Sequence, residues 1–399
     1  VGRSAFAFGM IGRGGASAWM GGIAASDLQG LVAWFVPFRT PERCVAYAMI
    51  EKQPTLKRSH AGRPLVSVLV PSFNGAAYLR EALDSILAQT YPSLEIILLD
   101  DFASDETPDI AAEYGDRITY VRQPRNTGIY DNVNVGIEMA RGELIATYHA
   151  DDIYLPEIVE RQVTYFETYP EVGAVFTANI LVDAQNREYH RNVFPLDVRG
   201  EKPLDHPTVL NALLKYKNKF LVCPTAMVRT AVHKEVGNYR QDRYRNTSDL
   251  EMWLRISRRY PIAILESHLM RYRHFHGNSS QRYHRLRTTP ENYFIILDEY
   301  LAGGDRALAT PEALVAYEAH RSQDRLMAAI SHYIKDELPD GRRALREVDV
   351  RPIMRSPYVQ RWRLLTLTAG MWMFLRLPRI GPLASRMHDR WHVKRPPRR

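Results

Sequence analysis

Two pairs of adjacent aspartates, Asp100–Asp101 and Asp151–Asp152, each follow an apolar run. Neighbouring carboxylates repel, and burying both without a counter-charge is costly or forces a proton onto one. Such a pair is either solvated or serves a cation. Mg2+ and Mn2+ take oxygen ligands, typically one or two carboxylates plus phosphate oxygens. Asp151 and Asp152, in "YHADD", suit a metal–diphosphate complex on that ground. Asp100 and Asp101, in "LLDDFASDET", can accept hydrogen bonds from a base edge or a ribose. The plainer reading there is a solvated loop, with Asp105 capping the next helix. A further acid, Asp249, stands in "NTSDLEMWLRI", where Ser248 and Glu251 have capping-box spacing. The cap would hold Asp249 rigidly at a helix end, as a general base requires. The plainer reading is a first-turn acid favoured by the helix dipole.

The surrounding elements must bring these acids together. "LVSVLV" at 65–70 reads as a buried strand. Leu79, Leu83, Ile86 and Leu87 then recur on one face of a helix. "LEIILLDD" reads as a second strand, 106–114 as a short helix and "RITYV" as a third strand. A helix over 130–140 precedes "ELIATYH", the fourth strand. Around Pro156, Leu155, Val159, Val163 and Phe166 share a helical stripe, and "VGAVFTANILV" is another strand. This alternation predicts a doubly wound, parallel α/β sheet. Ligands bind such sheets at the carboxyl ends of strands, where both acidic pairs fall. Leu250, Trp253 and Leu254 should face the core. "VPSFNGAAYL" has too few glycines for a dinucleotide fingerprint and is not a Walker loop. It reads as a strand-to-helix turn with Asn74 as the cap.

The chain has 399 residues, with 45% hydrophobic and 25% charged, which is ample core material for a large domain with appendages. Its formal charge of +8 suits anionic partners such as nucleotides or acidic lipid. Only Cys44 and Cys223 are present, which excludes a disulfide framework and a zinc-type cluster and favours a reducing compartment. The opening is Gly/Ala-rich, broken by Arg3 and Arg13, and is not read as a signal peptide. One helix is expected near 28–38, and "HAGRP" reads as a linker. No uncharged apolar run approaches the ~20 residues of a membrane span. Residues past 290 look mainly helical. "WRLLTLTAGMWMFLRLPRI", at 362–380, is apolar and bracketed by Arg361, Arg363, Arg376 and Arg379. It suits either a headgroup boundary or a packed core helix.

With these motifs in hand, the chain resembles the family 2 glycosyltransferases. The stretches carrying the resemblance are "PLVSVLVPSFNGAAYLREALDSILAQTYPSLEIILLDDFASDET", "RNTGIYDNVNVGIEMARGELIATYHADDIYLPE", "KEVGNYRQDRYRNTSDLEMWLRI" and "YRHFHGNSS", in that order. The resemblance implies an α/β fold of the GT-A, nucleotide-sugar-binding type over 64–290. The donor half would be 64–160 and the acceptor half 161–290. It would be preceded by a lead-in (1–60) and followed by a helical region with a basic tail (291–399).

By position, the resemblance implies that Pro71, Ser72, Phe73, Asn74 and Asp101 hold the nucleotide, with Asp100 supporting the turn. Asp151 and Asp152 would serve ribose and a diphosphate-bound Mn2+ or Mg2+. His276, with His274 as the second choice, would complete the metal site. Asp249 matches the family base. One departure is His149, where most members carry the first Asp of Asp-x-Asp-Asp, which leaves open which carboxylate grips the metal. The implied reaction is a single inverting displacement from a nucleotide-diphosphate sugar, UDP-linked by preference, to an acceptor hydroxyl. The acceptor would be a saccharide or a lipid-linked saccharide in surface polysaccharide or glycolipid synthesis. Nucleic acid is not an expected partner. The expected location is cytoplasmic, with peripheral contact at the inner membrane face through 362–380. The rivals are a catalytically weakened nucleotide-sugar-binding protein and a sugar-phosphate nucleotidyltransferase. The latter needs a Gly-rich, basic phosphate loop that "PSFNGAAY" lacks.

Overall fold

The computed structural model describes residues 62–274 and 286–376, all within one compact unit spanning Pro54–Arg399. The expected lead-in at 1–60, its helix near 28–38 and the tail beyond 376 lie outside the described residues.

Among the described residues, nine strands form one sheet: β1 (Val66–Ser72), β2 (Leu94–Asp100), β3 (Thr119–Arg122), β4 (Leu144–Thr147), β5 (Ile153–Tyr154), β6 (Ala174–Val182), β7 (Glu188–Arg191), β8 (Met227–Arg229) and β9 (Ile262–Arg273). The order is β3-β2-β1-β4-β8-β6-β9-β5, with β7 paired to β6. Strands β1 to β4 pair in parallel, as the alternation predicts. β6 and β9 are parallel as well. The sheet is nevertheless mixed, because β8 runs antiparallel between β4 and β6, and β5 and β7 pair antiparallel with β9 and β6.

Side chains alternate across a strand, so a sheet covered on both sides needs apolar residues at every position. Val66, Val68, Val70, Ile96 and Leu98 face one layer, against Leu79, Leu83 and Ile86 of α1 (Ala76–Leu87), Ile110 of α2 (Thr107–Tyr114) and Val159 and Val163 of α4 (Ile158–Thr168). Leu69, Ile97, Leu99 and Ile145 face the other. There they meet Val133 and Ile137 of α3 (Ile129–Met139), Leu210 and Leu213 of α5 (His206–Tyr216), Val232 of α6 (Thr230–Val236), and Leu250, Trp253 and Leu254 of α8 (Ser248–Ser257). A short helix, α7 (Gln241–Tyr244), precedes α8.

The chain past 290 is helical, as expected. Tyr293, Phe294, Ile296 and Leu297 of the helix Asn292–Ala302 join the α8 side of the core. The helix Pro311–Ile334 continues into a smaller cluster, where Leu326, Ala329 and Tyr333 meet Leu345, Ile353, Leu364, Met371 and Leu375.

Candidate active site

β1 ends in buried Pro71 and Ser72, while Phe73 and Asn74 are exposed. Asn74 does not cap α1. Its N-cap is Gly75, without a side-chain cap bond, and Asn74 Oδ1 instead accepts from Ser104 N at 2.8 Å. The cap comes from 29 residues away: Asp105 Oδ2 accepts from Ala76 N, and its Oδ1 accepts from Thr107 N at the start of α2. One carboxylate thus ties two helix starts to both loops at this edge of the sheet.

Asp100, fully buried, holds its own turn. Its Oδ1 accepts from Ala103 N (2.7 Å) and its Oδ2 from the Tyr120 hydroxyl (2.6 Å), with Arg122 at 3.7 Å. Asp101 reaches the next crossover. It accepts from Thr127 N and Oγ1 at 2.7 and 2.9 Å and from Gly128 N at 2.8 Å. Burial raises its pKa against the pull of these bonds. Gly128 has φ of 90°, and a Cβ there would collide with Gln241. The Gln241 amide accepts from Tyr130 N and donates to Thr127 O, which joins the crossover to the segment before Asp249.

The acidic pair 151–152 lies beside the β1 turn. A Cβ on Gly75 would meet Ser72 Oγ at 2.6 Å and Ala150 Cβ at 3.7 Å, so the two loops touch. His149 N donates to the Tyr154 hydroxyl at 2.6 Å, and Tyr154 stacks on Tyr148 with centroids 4.0 Å apart. Beside the pair lies Arg273, whose side chain is 2% exposed. Its backbone N–H donates to Asp152 Oδ1 (2.8 Å), its Nε to the Asp151 carbonyl (3.0 Å) and its guanidinium to Glu81 and to Ala184 O, so its charge acts on the two carboxylates without touching them. Even so, burial first, and the Asp151 charge second, push the Asp152 pKa well above the usual range.

A divalent cation fits these residues. Ligand atoms of His149, Asp151 and Asp152 lie within 4.8 Å of one another. His149 Nε2 and Asp152 Oδ2 are both buried without a hydrogen-bond partner. Burial lowers the His149 pKa, keeping the imidazole neutral, the form that ligates. His149 thus offers a neutral ring nitrogen to the same group. His276, proposed from sequence as a ligand, lies outside the described residues. His274 Nδ1 is 2.8 Å from the Tyr189 hydroxyl.

Asp249 sits in the first turn of α8, but not behind a capping box. The Ser248 hydroxyl donates to Arg245 O and Arg240 O, the N-cap is Thr247 without a cap bond, and Glu251 is buried against Arg240 and Arg255. Those ion pairs, not a cap, fix the helix start. Burial raises the Asp249 pKa to about 6, and hydrogen bonds from Leu250 N–H and the Tyr130 hydroxyl limit the rise. Cys223 is close enough for the Asp249 charge to help push its own pKa up, after burial. Arg273, Gln241 and Tyr130 escaped the sequence reading. For Arg273 the detectable signal was an arginine closing the strand "IAILESHLMRYR", whose apolar runs are 262–265 and 269–270.

The sequence model of glycosyl transferase family 2 matches residues 67–237. An uncharacterized glycosyltransferase of Haemophilus influenzae is 30% identical over 221 residues, covering 54% of this chain and 67% of the relative. One from Rickettsia felis is 30% identical over 221 residues, 55% of this chain and 35% of that protein. The chain spans 29% to 59% of the length of the five Rickettsia relatives it matches. Among solved structures, Staphylococcus aureus TarS 1–349 in complex with UDP-GlcNAc superposes with a TM-score of 0.52 at 16% identity, over 82% of this chain and 92% of TarS 1–349. That likeness bears on the fold, which is of the GT-A type. Sequence and architecture agree: the chain belongs to glycosyl transferase family 2.

Proposed function

We propose that the chain transfers a hexosyl unit from a nucleotide-diphosphate sugar, UDP-linked, to an acceptor hydroxyl with inversion at the anomeric carbon. The observation that carries this reading is the His149–Asp151–Asp152 group, with two buried atoms lacking partners, set against the β1 turn. A fold neighbour that holds UDP-GlcNAc supports the choice of UDP. Pro71, Ser72, Phe73, Asn74 and Asp101 would line the nucleotide, with Asp100 bracing the turn. Ser72 Oγ is buried without a partner and free to bond the donor.

His149, Asp151 and Asp152 would hold Mn2+ or Mg2+, with the imidazole favouring Mn2+. The bound cation supplies charge neutralisation on the leaving diphosphate. Asp249 takes the proton of the acceptor hydroxyl, and its raised pKa makes it a better base than an exposed aspartate. The Tyr130 hydroxyl and the Glu251 ion pairs keep that carboxylate in place. The acceptor is a saccharide or lipid-linked saccharide of surface polysaccharide or glycolipid synthesis. The reaction runs on the cytoplasmic side, with the chain held peripherally through 362–380.

Calorimetric titration of UDP with and without Mn2+, alongside hydrolysis of UDP-hexoses without acceptor, tests the reading. Mn2+-dependent binding that is lost in Asp151→Ala is expected. Equal affinity with and without metal would remove the metal role, and no nucleotide binding would remove the donor assignment.

A further inference from the structure

Phe102, just after β2, occupies a backbone conformation that bulky residues avoid. Its φ is 66°, in the left-handed region. Its ring is 49% exposed, so core packing does not explain the residue. The neighbourhood holds it there regardless. Asp101 N donates to Ser72 O at 2.8 Å, and Asp100 Oδ1 accepts from Ala103 N. Arg122 Nη2 donates to Ala103 O at 2.7 Å, and its guanidinium lies over the Phe102 ring, 5.5 Å from the centroid. One face of the ring is thus backed by an anchored cation. Residues held in sparsely populated conformations cluster at active sites and ligand clamps.

The place is informative. Ser72 and Asp100 are register partners, and Asn74 Oδ1 binds Ser104 N, so the turns after β1 and β2 are laced together. Phe73, 53% exposed, lies on the first and Phe102 on the second. Two open aromatic rings therefore crown neighbouring strands at the carboxyl edge, where this kind of sheet binds ligands. The adjoining carboxylates are largely spent within the chain: Asp100 on Ala103, Tyr120 and Arg122, and Asp101 on Thr127 and Gly128. A base entering here meets few free acceptors and a rigid π-face.

Resting on the nucleotide-sugar reading above, we infer that Phe102 is the stacking platform for the donor's nucleobase, with Arg122 bracing the ring from behind. Stacking on an aromatic side chain contributes substantially to nucleotide affinity and is tolerant of base identity. The contact supplies grip on the base rather than on the phosphates.

Calorimetry on the full chain in Mn2+, with UDP and separately with pyrophosphate, tests this in wild type, Phe102→Gly, Phe102→Ala and Phe102→Tyr. UDP affinity is expected to fall about tenfold or more in the Gly and Ala variants and to be largely retained in Tyr. Pyrophosphate affinity stays unchanged in all of them. Glycine relieves the positive φ, so Phe102→Gly melts at or above the wild-type temperature and its loss of UDP cannot come from unfolding. UDP binding equal to wild type in both Gly and Ala variants, or pyrophosphate affinity falling in parallel with UDP, overturns the inference. So does a wild type that binds pyrophosphate but no UDP. A wild type that binds neither overturns the nucleotide-sugar reading itself, and this inference with it.

Discussion

As the proposed base, Asp249 would make opposite demands on activity and stability, and both can be measured. Its carboxyl titrates near pH 6 in the folded chain because burial disfavours the charge. A base must be ionised to act, so transfer should rise with pH through about 6 and level off above it, as read from kcat/KM against pH. Asp249→Asn should lower turnover by about 10²–10⁴-fold. The folded pKa lies above the unfolded one, so the ionised group costs stability wherever both states are charged. That cost is full above about pH 6 and disappears as pH falls toward the unfolded value near 4. The Asn variant should therefore melt higher than wild type at pH 7.5 and no differently near pH 4. Near-wild-type turnover, or a lower melting temperature at pH 7.5, would return Asp249 to a structural role. His149 is a second residue with a measurable role. His149→Ala should weaken Mn2+ binding, followed by the paramagnetic signal of the free ion, whereas an unchanged signal would leave the two aspartates as the protein ligands.

At the scale of elements, the strap that closes the 149–152 loop is the end of β9. Arg273 bonds the Asp151 carbonyl, the Asp152 carboxylate (through its backbone N–H), Ala184 O and Glu81 from one buried position. Arg273→Met keeps the backbone bond but leaves two carbonyls and Glu81 without their donor. Glu81 is about half exposed, so loss of that ion pair costs about 1 kcal/mol or less, and the larger cost, about 1–3 kcal/mol for each, comes from the buried carbonyls left without a donor. A fall of about 3 kcal/mol in urea unfolding is expected, with weaker Mn2+ binding. An unchanged midpoint would show that the strap does not hold the loop. This arginine marks where sequence reading stopped. β1, β2 and the helices between them were legible because unbroken apolar runs and i, i+4 stripes are local signals. Of the three caps read from sequence, Asp105 does take Thr107 N at the start of α2, while the other two were not formed, because their side chains found other partners. Asn74 joins Ser104, Asp105 reaches back 29 residues to cap α1, and Glu251 is taken by Arg240 and Arg255. Arg273 lies 122 residues from the carbonyl it holds. Strand ends carrying acids announce where a site is, while the partners that orient those acids are set by tertiary contacts that no window of sequence contains.

For the whole molecule, the open question is whether the chain works at a surface. No described helix is long and apolar enough to cross a membrane. The helix Arg361–Phe374 has two different faces. Leu364, Thr368 and Met371, with Leu375 just beyond, are buried against the smaller core cluster. Trp362, Trp372 and Met373 point outward at 71%, 43% and 58% exposure, and Arg361, Arg363 and Arg376 stand among them. Core packing accounts for the inner stripe and leaves the outer indoles unexplained. Tryptophan beside arginine matches a headgroup boundary, where rings sit at the interface and guanidinium groups reach anionic lipid. Each basic residue there contributes about 1 kcal/mol, and the net charge of +8 adds long-range attraction. Cutting the chain before this helix would strip the inner cluster of Leu364 and Met371, so a cleaner test changes only the outer face. Trp362→Gln, Trp372→Gln and Met373→Gln together should leave the melting temperature close to wild type, since all three side chains are exposed. Flotation with anionic vesicles at low salt should then show at least about a tenfold loss of partitioning, and raised salt should weaken wild-type binding. If wild type and the triple variant float equally, or neither floats, this helix face does not carry the chain to the membrane, and a lipid-linked acceptor would have to be presented to the site by some other route.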